Sequence, residues 1–325
     1  MGEDESMTAL TSRTLGSSSV SVSVAGLGSN NFGRPGTRTE TQEGTTAVLD
    51  AARDAGVTLL DTADVYTVGV SETFMGVGLK GHRDSFILAS KFGHSGVDMN
   101  LAGGAPRGSR AYIRAAIEGS LRRLQTDWID LYQLHTPDPE TPISDTIAAL
   151  SELVDEGKIR AFGHSNFTAE QAIEAEKAAL SLGGPRFESA QNEYSLLARD
   201  AEHDILPVVR EYGLGFLPYF PLYNGLFTGK FSRSERPADT RIMRQKPHLL
   251  ENVPWDRIEE YQRFCADRGA SMLAATFGWL LAQPGLTSVI AGATTPEQVR
   301  QNAEASIEWS PTDADIAQIS RMFAP

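Results

Sequence analysis

Asp61 and Tyr66 stand five residues apart at and just beyond the end of an apolar run, in VTLLDTADVY, and the next two apolar runs, FILASKFG and WIDLYQLH, deliver Lys91 and His135. An acid, a phenol, an amine and an imidazole are groups that conversion of a carbonyl to an alcohol can use together. Singly, each has a plain structural explanation: Asp61 as a turn cap, Tyr66 as half-buried packing, Lys91 as a solvated strand end, His135 as a satisfied core histidine. Their joint placement points to chemistry, because three of them occupy or directly follow strand ends and Tyr66 follows Asp61 by one loop turn. A phenol titrates near 10, and bringing it toward 7 requires roughly 4 kcal/mol of preference for the phenolate. A lysine ammonium about 4 Å away supplies about 1 kcal/mol in bulk water and about 4 at an effective dielectric of 20. The site must therefore exclude water. A buried lysine tends to lose its proton, so Asp61 is the partner expected to keep Lys91 charged, and His135 is expected to hydrogen-bond the substrate oxygen.

Such residues meet only if consecutive strands bring them to one place. SVSVSV alternates small polar and β-branched residues and leads into AGLGSNNFG, which predicts a first strand ending before Asn30. Apolar spacing predicts helices over 41–55, 71–79 and 143–156, and another beginning after Thr168. Ser109 is the expected N-cap of a helix whose apolar positions Tyr112, Ile113, Ala116, Ile117, Leu121 and Leu124 recur at three and four. Strands are predicted over 57–61, 86–90, up to His135, 159–165, 189–193, 215–219 and 288–291. Eight βα steps with mostly short connections fit a single closed (β/α)8 TIM barrel over 11–325, after a flexible acidic tail over 1–10, better than an open doubly wound sheet. All strand C-termini then share one face. The Gly-rich 93–108 and polar 231–252 connections are too long for turns and are expected to be lids or binding segments there.

The net charge of −13 disfavours a nucleic-acid or anionic-membrane surface, so an anionic cofactor would need a local basic pocket. Cys265 is the only cysteine, which rules out an intramolecular disulfide or a cysteine-rich metal site and suits the cytoplasm; no metal is expected. The longest apolar stretch, near SMLAATFGWLLA, is too short to span a bilayer. The first ten residues lack the basic and apolar regions of a secretory signal. Gly2 and Ser6 fit the loose myristoylation pattern, but Glu3, Asp4 and Glu5 remove the basic support that one acyl chain needs. Nothing in the chain predicts an oligomeric state.

The segments LLDTADVY, ASKFG, LRRL, DWIDLYQLH, SNF, QNEYSLL and GATTPEQVRQN occur in that order. With the four residues above, they resemble the aldo-keto reductase superfamily from about Arg13 to Asn302, in particular its bacterial NADP-dependent members. The resemblance implies a tetrad of Asp61, Tyr66, Lys91 and His135 that reduces an aldehyde or ketone to an alcohol, with Tyr66 as general acid. It also implies a nicotinamide cofactor extended across the barrel mouth without a Rossmann turn, and no G-x-G-x-x-G follows a strand here. Ser165, Asn166 and Gln191 match the positions that hold the carboxamide, where amides and hydroxyls supply donors and acceptors. Tyr219 matches the aromatic that stacks on the nicotinamide ring. Leu222, Gly225 and Lys230 fall in the segment covering the pyrophosphate, and Gly292, Gln298 and Asn302 match the adenosine end.

Many members of that superfamily read the 2′-phosphate with Lys and Arg near the last motif, where this chain has Gly292, Ala293 and Gln298. Positive charge is then expected from Arg233, Arg236 or Arg241, and NADPH is favoured over NADH. His164 stands where a small apolar residue is more usual, and the sequence assigns it no role. Asn31, Phe32, Phe92, His94 and the 93–108 connection are the expected substrate walls, a mixed aromatic and polar surface suited to a sugar, an aromatic aldehyde or a ketone-bearing natural product. The superfamily also includes channel-associated β subunits, so a nicotinamide-binding regulatory subunit with little turnover is the alternative. The acidic N-terminus is too short for an obvious channel-blocking domain.

Overall fold

The structure is a computed structural model that describes residues 10–97 and 99–324. Residues 1–9 of the expected tail lie outside these; Leu10, its last residue, packs partly buried against the core. Two short antiparallel strands come first, β1 (Ser12–Thr14) and β2 (Ser21–Ser23). A parallel sheet follows, made of β3 (Ala25–Gly28), β4 (Leu59–Asp61), β5 (Ile87–Phe92), β6 (Ile129–Leu134), β7 (Ile159–Ser165), β8 (Phe187–Gln191), β9 (Gly215–Phe216) and β10 (Val289–Gly292). These eight strands run in the order β10-β3-β4-β5-β6-β7-β8-β9. The ring closes at Phe216, whose N–H donates to Gly285 O and whose carbonyl accepts from Thr287 N–H, both at 2.9 Å. Around it lie α1 (Gln42–Asp54), α2 (Val70–Gly78), α3 (Arg110–Leu124), α4 (Ile143–Asp155), α5 (Ala169–Leu182), α6 (Ile205–Tyr212), α7 (Arg241–Gln245), α8 (Trp255–Asp267), α9 (Met272–Leu281), α10 (Pro296–Glu308) and α11 (Asp313–Met322). The fold is a (β/α)8 TIM barrel.

Local chemistry sets the helix starts. Ser109 Oγ accepts the N–H of Tyr112 at 3.3 Å, as its N-cap position requires. Thr168 and Gln171 form a reciprocal capping box at the start of α5. Three segments differ from the sequence expectation. SVS pairs with SRT as a hairpin rather than entering the barrel, and AGLG alone is the first barrel strand. The 215–219 strand shrinks to Gly215–Phe216, with Tyr219 making only an isolated bridge to Glu193. The 231–252 connection contains α7.

Inside the barrel, period-2 alternation stacks two layers. The lower is apolar: Leu59, Ala89, Leu131, Ala161, Leu217 and Ile290, with Leu15, Val20 and Val22 of the hairpin packed on them from the N-terminal side. Complete burial of leucines such as Leu59 and Leu131 contributes roughly 1.5–3 kcal/mol each. Two residues further along the strands the inward positions turn polar, with Asp61 on β4, Lys91 on β5, Gln133 on β6 and Gln191 on β8, and Lys91 in register with Gln133. On β7 that level is Gly163, where a Cβ would sit 2.2 Å from Ser189 Oγ and 3.3 Å from the Gln133 side chain. The small residue leaves room for the polar layer.

Candidate active site

Lys91 Nζ is the hub of that layer. It donates to Asp61 Oδ2 at 2.7 Å, to Thr62 O at 2.9 Å and to the Tyr66 hydroxyl at 3.2 Å, and its side chain is 0 % exposed. Three oxygens thus match the three protons of an ammonium. Tyr66 arrives by a turn (Tyr66–Gly69) in which Thr67 and Val68 are left-handed, at φ 50° and 53°. Thr67 Oγ1 donates to Phe32 O at 2.8 Å and ties this turn to the loop after β3. His135 follows β6 directly, and its ring stands edge-to-face with Tyr66 at 5.9 Å between centroids. Its carbonyl accepts from Asn166 Nδ2 at 3.0 Å.

Electrostatics separate the four groups. Burial by itself lowers the Lys91 ammonium, but the neighbouring Asp61 and Tyr66 outweigh it and hold it above its ordinary range. Tyr66 departs from the sequence expectation of a phenol drawn toward 7. Burial raises it above its usual value and the Lys91 charge opposes this only in part, so the phenol is held as a neutral O–H. Burial, then Lys91 and His94, push His135 well below its usual value, leaving a neutral imidazole.

A cleft of about 670 Å³ opens over the strand C-termini, within the range of sites for small molecules and cofactors. Asp61, Tyr66, His94 and His135 line one end; Gly292, Gln298 and Asn302 line the other, with Ser165, Asn166, Gln191, Tyr219, Leu222, Gly225 and Lys230 also on its walls. Several are bonded to one another. Ser165 Oγ donates to Gln191 O at 2.7 Å, Asn166 Nδ2 to Ser165 Oγ at 3.0 Å, and the Tyr219 hydroxyl to Asn166 Oδ1 at 2.8 Å. Gln298 Oε1 accepts the N–H of Thr294 at 2.8 Å, just ahead of α10.

The cleft also holds polar atoms without partners. Among the described residues, Asn31 Oδ1, Asn224 Oδ1 and Arg241 Nε are buried without a hydrogen-bond partner. Arg241 reaches from α7 to donate to Asn30 Oδ1 at 3.2 Å and lies 4.9 Å from the Phe220 ring centroid. Burial, then nearby Arg34, brings its guanidinium down to about 10. A desolvated cation beside orphaned amides suits an anionic, hydrogen-bonding ligand, and the donors and acceptors along the cleft fit a nicotinamide dinucleotide. Of the three arginines named from the sequence, only Arg241 lines the cleft. Arg233 pairs with Asp256 and Glu259, and Arg236 lies over Trp255. Arg38 and Arg244 also line it and were not singled out by the sequence, since nothing in their spacing distinguishes them from surface arginines. Among the described residues no cluster of His, Cys, Asp or Glu could hold a metal, and no helix is long and apolar enough to cross a membrane.

The expected substrate walls divide. His94 lines the cleft beside His135. Asn31 lines it too, but its amide nitrogen points toward Gly292, 3.8 Å from where a Cβ would stand. Phe32 and Phe92 are instead fully buried and absent from the cleft wall. Phe92 stacks on Tyr132 at 4.7 Å, because alternation along β5 turns it outward when Lys91 turns in. Gln133, missed in the sequence, was marked by the same rule, two residues before His135 on β6. His164 is packing: it stacks on Phe167 at 4.4 Å, meets Phe187 edge-on, and burial takes it down to about 3.

Comparison with known proteins agrees with this architecture. The model of the Aldo/keto reductase family matches residues 25–323. The chain is 35% identical over 289 residues to the NADH-specific methylglyoxal reductase of Escherichia coli (strain K12), covering 85% of this chain and 86% of that one. It is 35% identical over 285 residues to the aldo-keto reductase YhdN of Bacillus subtilis (strain 168), covering 85% and 82%. It is also 33% identical over 270 residues to a probable voltage-gated potassium channel subunit beta of Oryza sativa subsp. japonica, covering 80% of each. With nearly all of the barrel inside the matched region, the chain belongs to the aldo/keto reductase family of oxidoreductases.

Proposed function

We propose that this chain reduces an aldehyde or ketone to an alcohol with NADPH, Tyr66 acting as general acid. The observation that carries this is one buried ammonium, Lys91 Nζ, hydrogen-bonded at once to Asp61 and to the Tyr66 hydroxyl. When bound, the nicotinamide supplies the hydride that no side chain can. Tyr66, a neutral phenol beside a fixed positive charge, delivers the proton to the developing alkoxide. Lys91 eases the loss of that proton, by about 4 kcal/mol at an effective dielectric of 20, and Asp61 keeps Lys91 charged. Neutral His135 donates to the same substrate oxygen and orients the carbonyl. Ser165, Asn166 and Gln191 would hold the carboxamide, Tyr219 the nicotinamide ring, Leu222, Gly225 and Lys230 the pyrophosphate, and Gly292, Gln298 and Asn302 the adenosine. Arg38 and Arg241 on the cleft wall support NADPH over NADH, while Arg244 there is paired with Asp239. We take the location to be cytoplasmic, in keeping with Cys265 as a buried free thiol.

Titration with NADPH and NADH side by side, read by protein fluorescence, tests the cofactor; the E. coli relative is named for NADH, which sharpens the comparison. A carbonyl panel with the preferred nucleotide follows, read by loss of the reduced-nicotinamide absorbance. Activity should vanish in Tyr66→Phe, and equal reduction by wild type and variant would sink the mechanism.

The match to a probable channel β subunit supports a second reading, a nicotinamide-binding regulatory subunit with little turnover. A stable complex with a membrane protein on pull-down, together with no turnover on the panel, would favour it.

A further inference from the structure

The polar layer of the barrel contains an amide that the chemistry above leaves idle. Gln133 sits on β6 in register with Lys91, is fully buried, and is absent from the cleft wall. Its Oε1 accepts from Gln191 Nε2 at 3.4 Å, while among the described residues its own Nε2 is buried without a hydrogen-bond partner. An orphaned donor in the core carries a free-energy cost that a methionine of similar shape would avoid. The barrel nonetheless makes room for this amide, since a Cβ at Gly163 would stand 3.3 Å from the Gln133 side chain.

The two protons of the Gln191 amide have separate acceptors. Asp61, ion-paired with Lys91, can only accept, so Gln191 turns its nitrogen toward it and donates to Asp61 Oδ1 at 3.0 Å. The second proton goes to Gln133 Oε1. Both are thus committed inside the barrel, and Gln191 Oε1 is the end left for the cleft, whose wall Gln191 helps to form. The adjoining donors are committed as well. Asn166 Nδ2 donates to His135 O and to Ser165 Oγ, each at 3.0 Å, and Ser165 Oγ donates to Gln191 O at 2.7 Å. This part of the wall therefore offers acceptors to a ligand.

We infer that Gln133 is a positioning residue for cofactor selection: by accepting the second proton of Gln191 it fixes that amide with only an acceptor facing the cleft, so that the nucleotide is chosen by the NH2 of its carboxamide. The inference rests on the nicotinamide-cofactor reading and adds to it a residue that touches neither cofactor nor substrate. Without Gln133, Gln191 Nε2 keeps its bond to Asp61, but its second proton is free to swing toward the cleft. The wall then offers a donor beside the acceptor, and a ligand without the NH2 is no longer left facing an unpaired acceptor alone. General loosening of the site would weaken all nucleotides alike, whereas loss of this one acceptor narrows the choice between them.

Two oxidised nucleotides test this, NADP+ and its 3-acetylpyridine analogue, in which a methyl replaces the carboxamide NH2. The pair is used with or without the 2′-phosphate, whichever form the side-by-side titration favours. Kd values are read by protein fluorescence for wild type and Gln133→Met, and the urea midpoint of each is measured. Wild type should bind the natural nucleotide about 10- to 100-fold more tightly, the size of one unmade hydrogen bond. In Gln133→Met that ratio should shrink by about threefold or more, with a urea midpoint close to or above that of wild type because the orphaned Nε2 is gone. Equal Kd values in wild type, or a ratio unaltered in Gln133→Met, overturns the inference and leaves the carbonyl-reductase reading standing. A ratio that shrinks only together with a collapse of the urea midpoint makes Gln133 a packing residue and overturns it too. Wild-type protein that binds no nicotinamide nucleotide overturns both readings.

Discussion

Gln191 Nε2 donates to Asp61 Oδ1 at 3.0 Å from the opposite side of the barrel, while Lys91 holds Oδ2 at 2.7 Å. A residue proposed to hold the nicotinamide carboxamide therefore also fixes the acid that keeps Lys91 charged. Gln191→Leu should lower kcat at saturating NADPH by about tenfold and cost about 1.5–3 kcal/mol of stability, the worth of a buried hydrogen bond to a charged acceptor. Steady-state kinetics beside a fluorescence titration separates the two roles; an unchanged kcat with only weaker NADPH binding would refute the link to Asp61.

Lys91→Met keeps the side chain's approximate shape and removes its charge. Asp61, 3 % exposed, would then be a buried carboxylate without its cation, at a cost of about 3–5 kcal/mol. Urea denaturation should show that loss, and Asp61→Asn added to Lys91→Met should recover much of it while activity stays absent. Activity near wild type in the single variant would contradict the proposed role of Lys91.

Asp64 lies between the two reactive residues in sequence, is fully buried, and among the described residues has no well-formed hydrogen bond to either oxygen. Burial, then the charge of Glu72, raises its carboxyl from 3.8 to about 7, against the opposing charges of Arg123 and Lys91. The folded state then holds the proton more tightly than the unfolded state does. Stability from this group accordingly falls as pH rises from about 4 to about 7 and levels off above, by roughly 4 kcal/mol in all. Asp64→Asn should gain little over wild type near pH 4 and most at pH 8, measured by urea denaturation at each pH. A gain that does not grow with pH would show that Asp64 is not the group responsible.

Thr67 and Val68 hold consecutive left-handed conformations, which β-branched residues rarely adopt. Val68 is 74 % exposed, so its side chain gains little packing in return. Val68→Asn, a residue that tolerates this region, should raise stability by about 1 kcal/mol. Thermal and urea denaturation would show it, and a loss of stability would mean that the valine makes contacts its exposure conceals.

Most barrel elements were legible because alternation and capping are local. Ser109 and Thr168 mark helix starts by their own hydrogen bonds, and the inward faces of β5 and β6 follow from period-2 spacing. The hairpin was not, because SVS carries the same alternation as a barrel strand and only its antiparallel pairing with SRT, centred on Arg13 opposite Val22, distinguishes it. Grouping Asp61, Tyr66, Lys91 and His135 needed only strand ends and the turn after one of them, and the structure puts Asp61, Tyr66 and His135 on the cleft wall with Lys91 buried behind them, bonded to Asp61 and Tyr66. The direction of the Tyr66 shift was out of reach, since it depends on how far burial outweighs a lysine 3.2 Å away. Phe92 misled because neighbours on a strand face opposite ways, so adjacency to Lys91 in sequence is not adjacency to its cleft, and Phe32 misled because the loop after β3 folds it into the apolar core.

The hairpin residues Leu15, Val20 and Val22 close the lower end of the barrel beneath an apolar layer, directly under the polar one. Among the described residues, this packing separates Lys91 from bulk solvent on that side. On the proposed mechanism, each proton Tyr66 gives away must be replaced through the same mouth that admits the substrate. Reprotonation and substrate entry then share one doorway, and a tightly held product would delay the recharging of the acid as well as the next catalytic cycle.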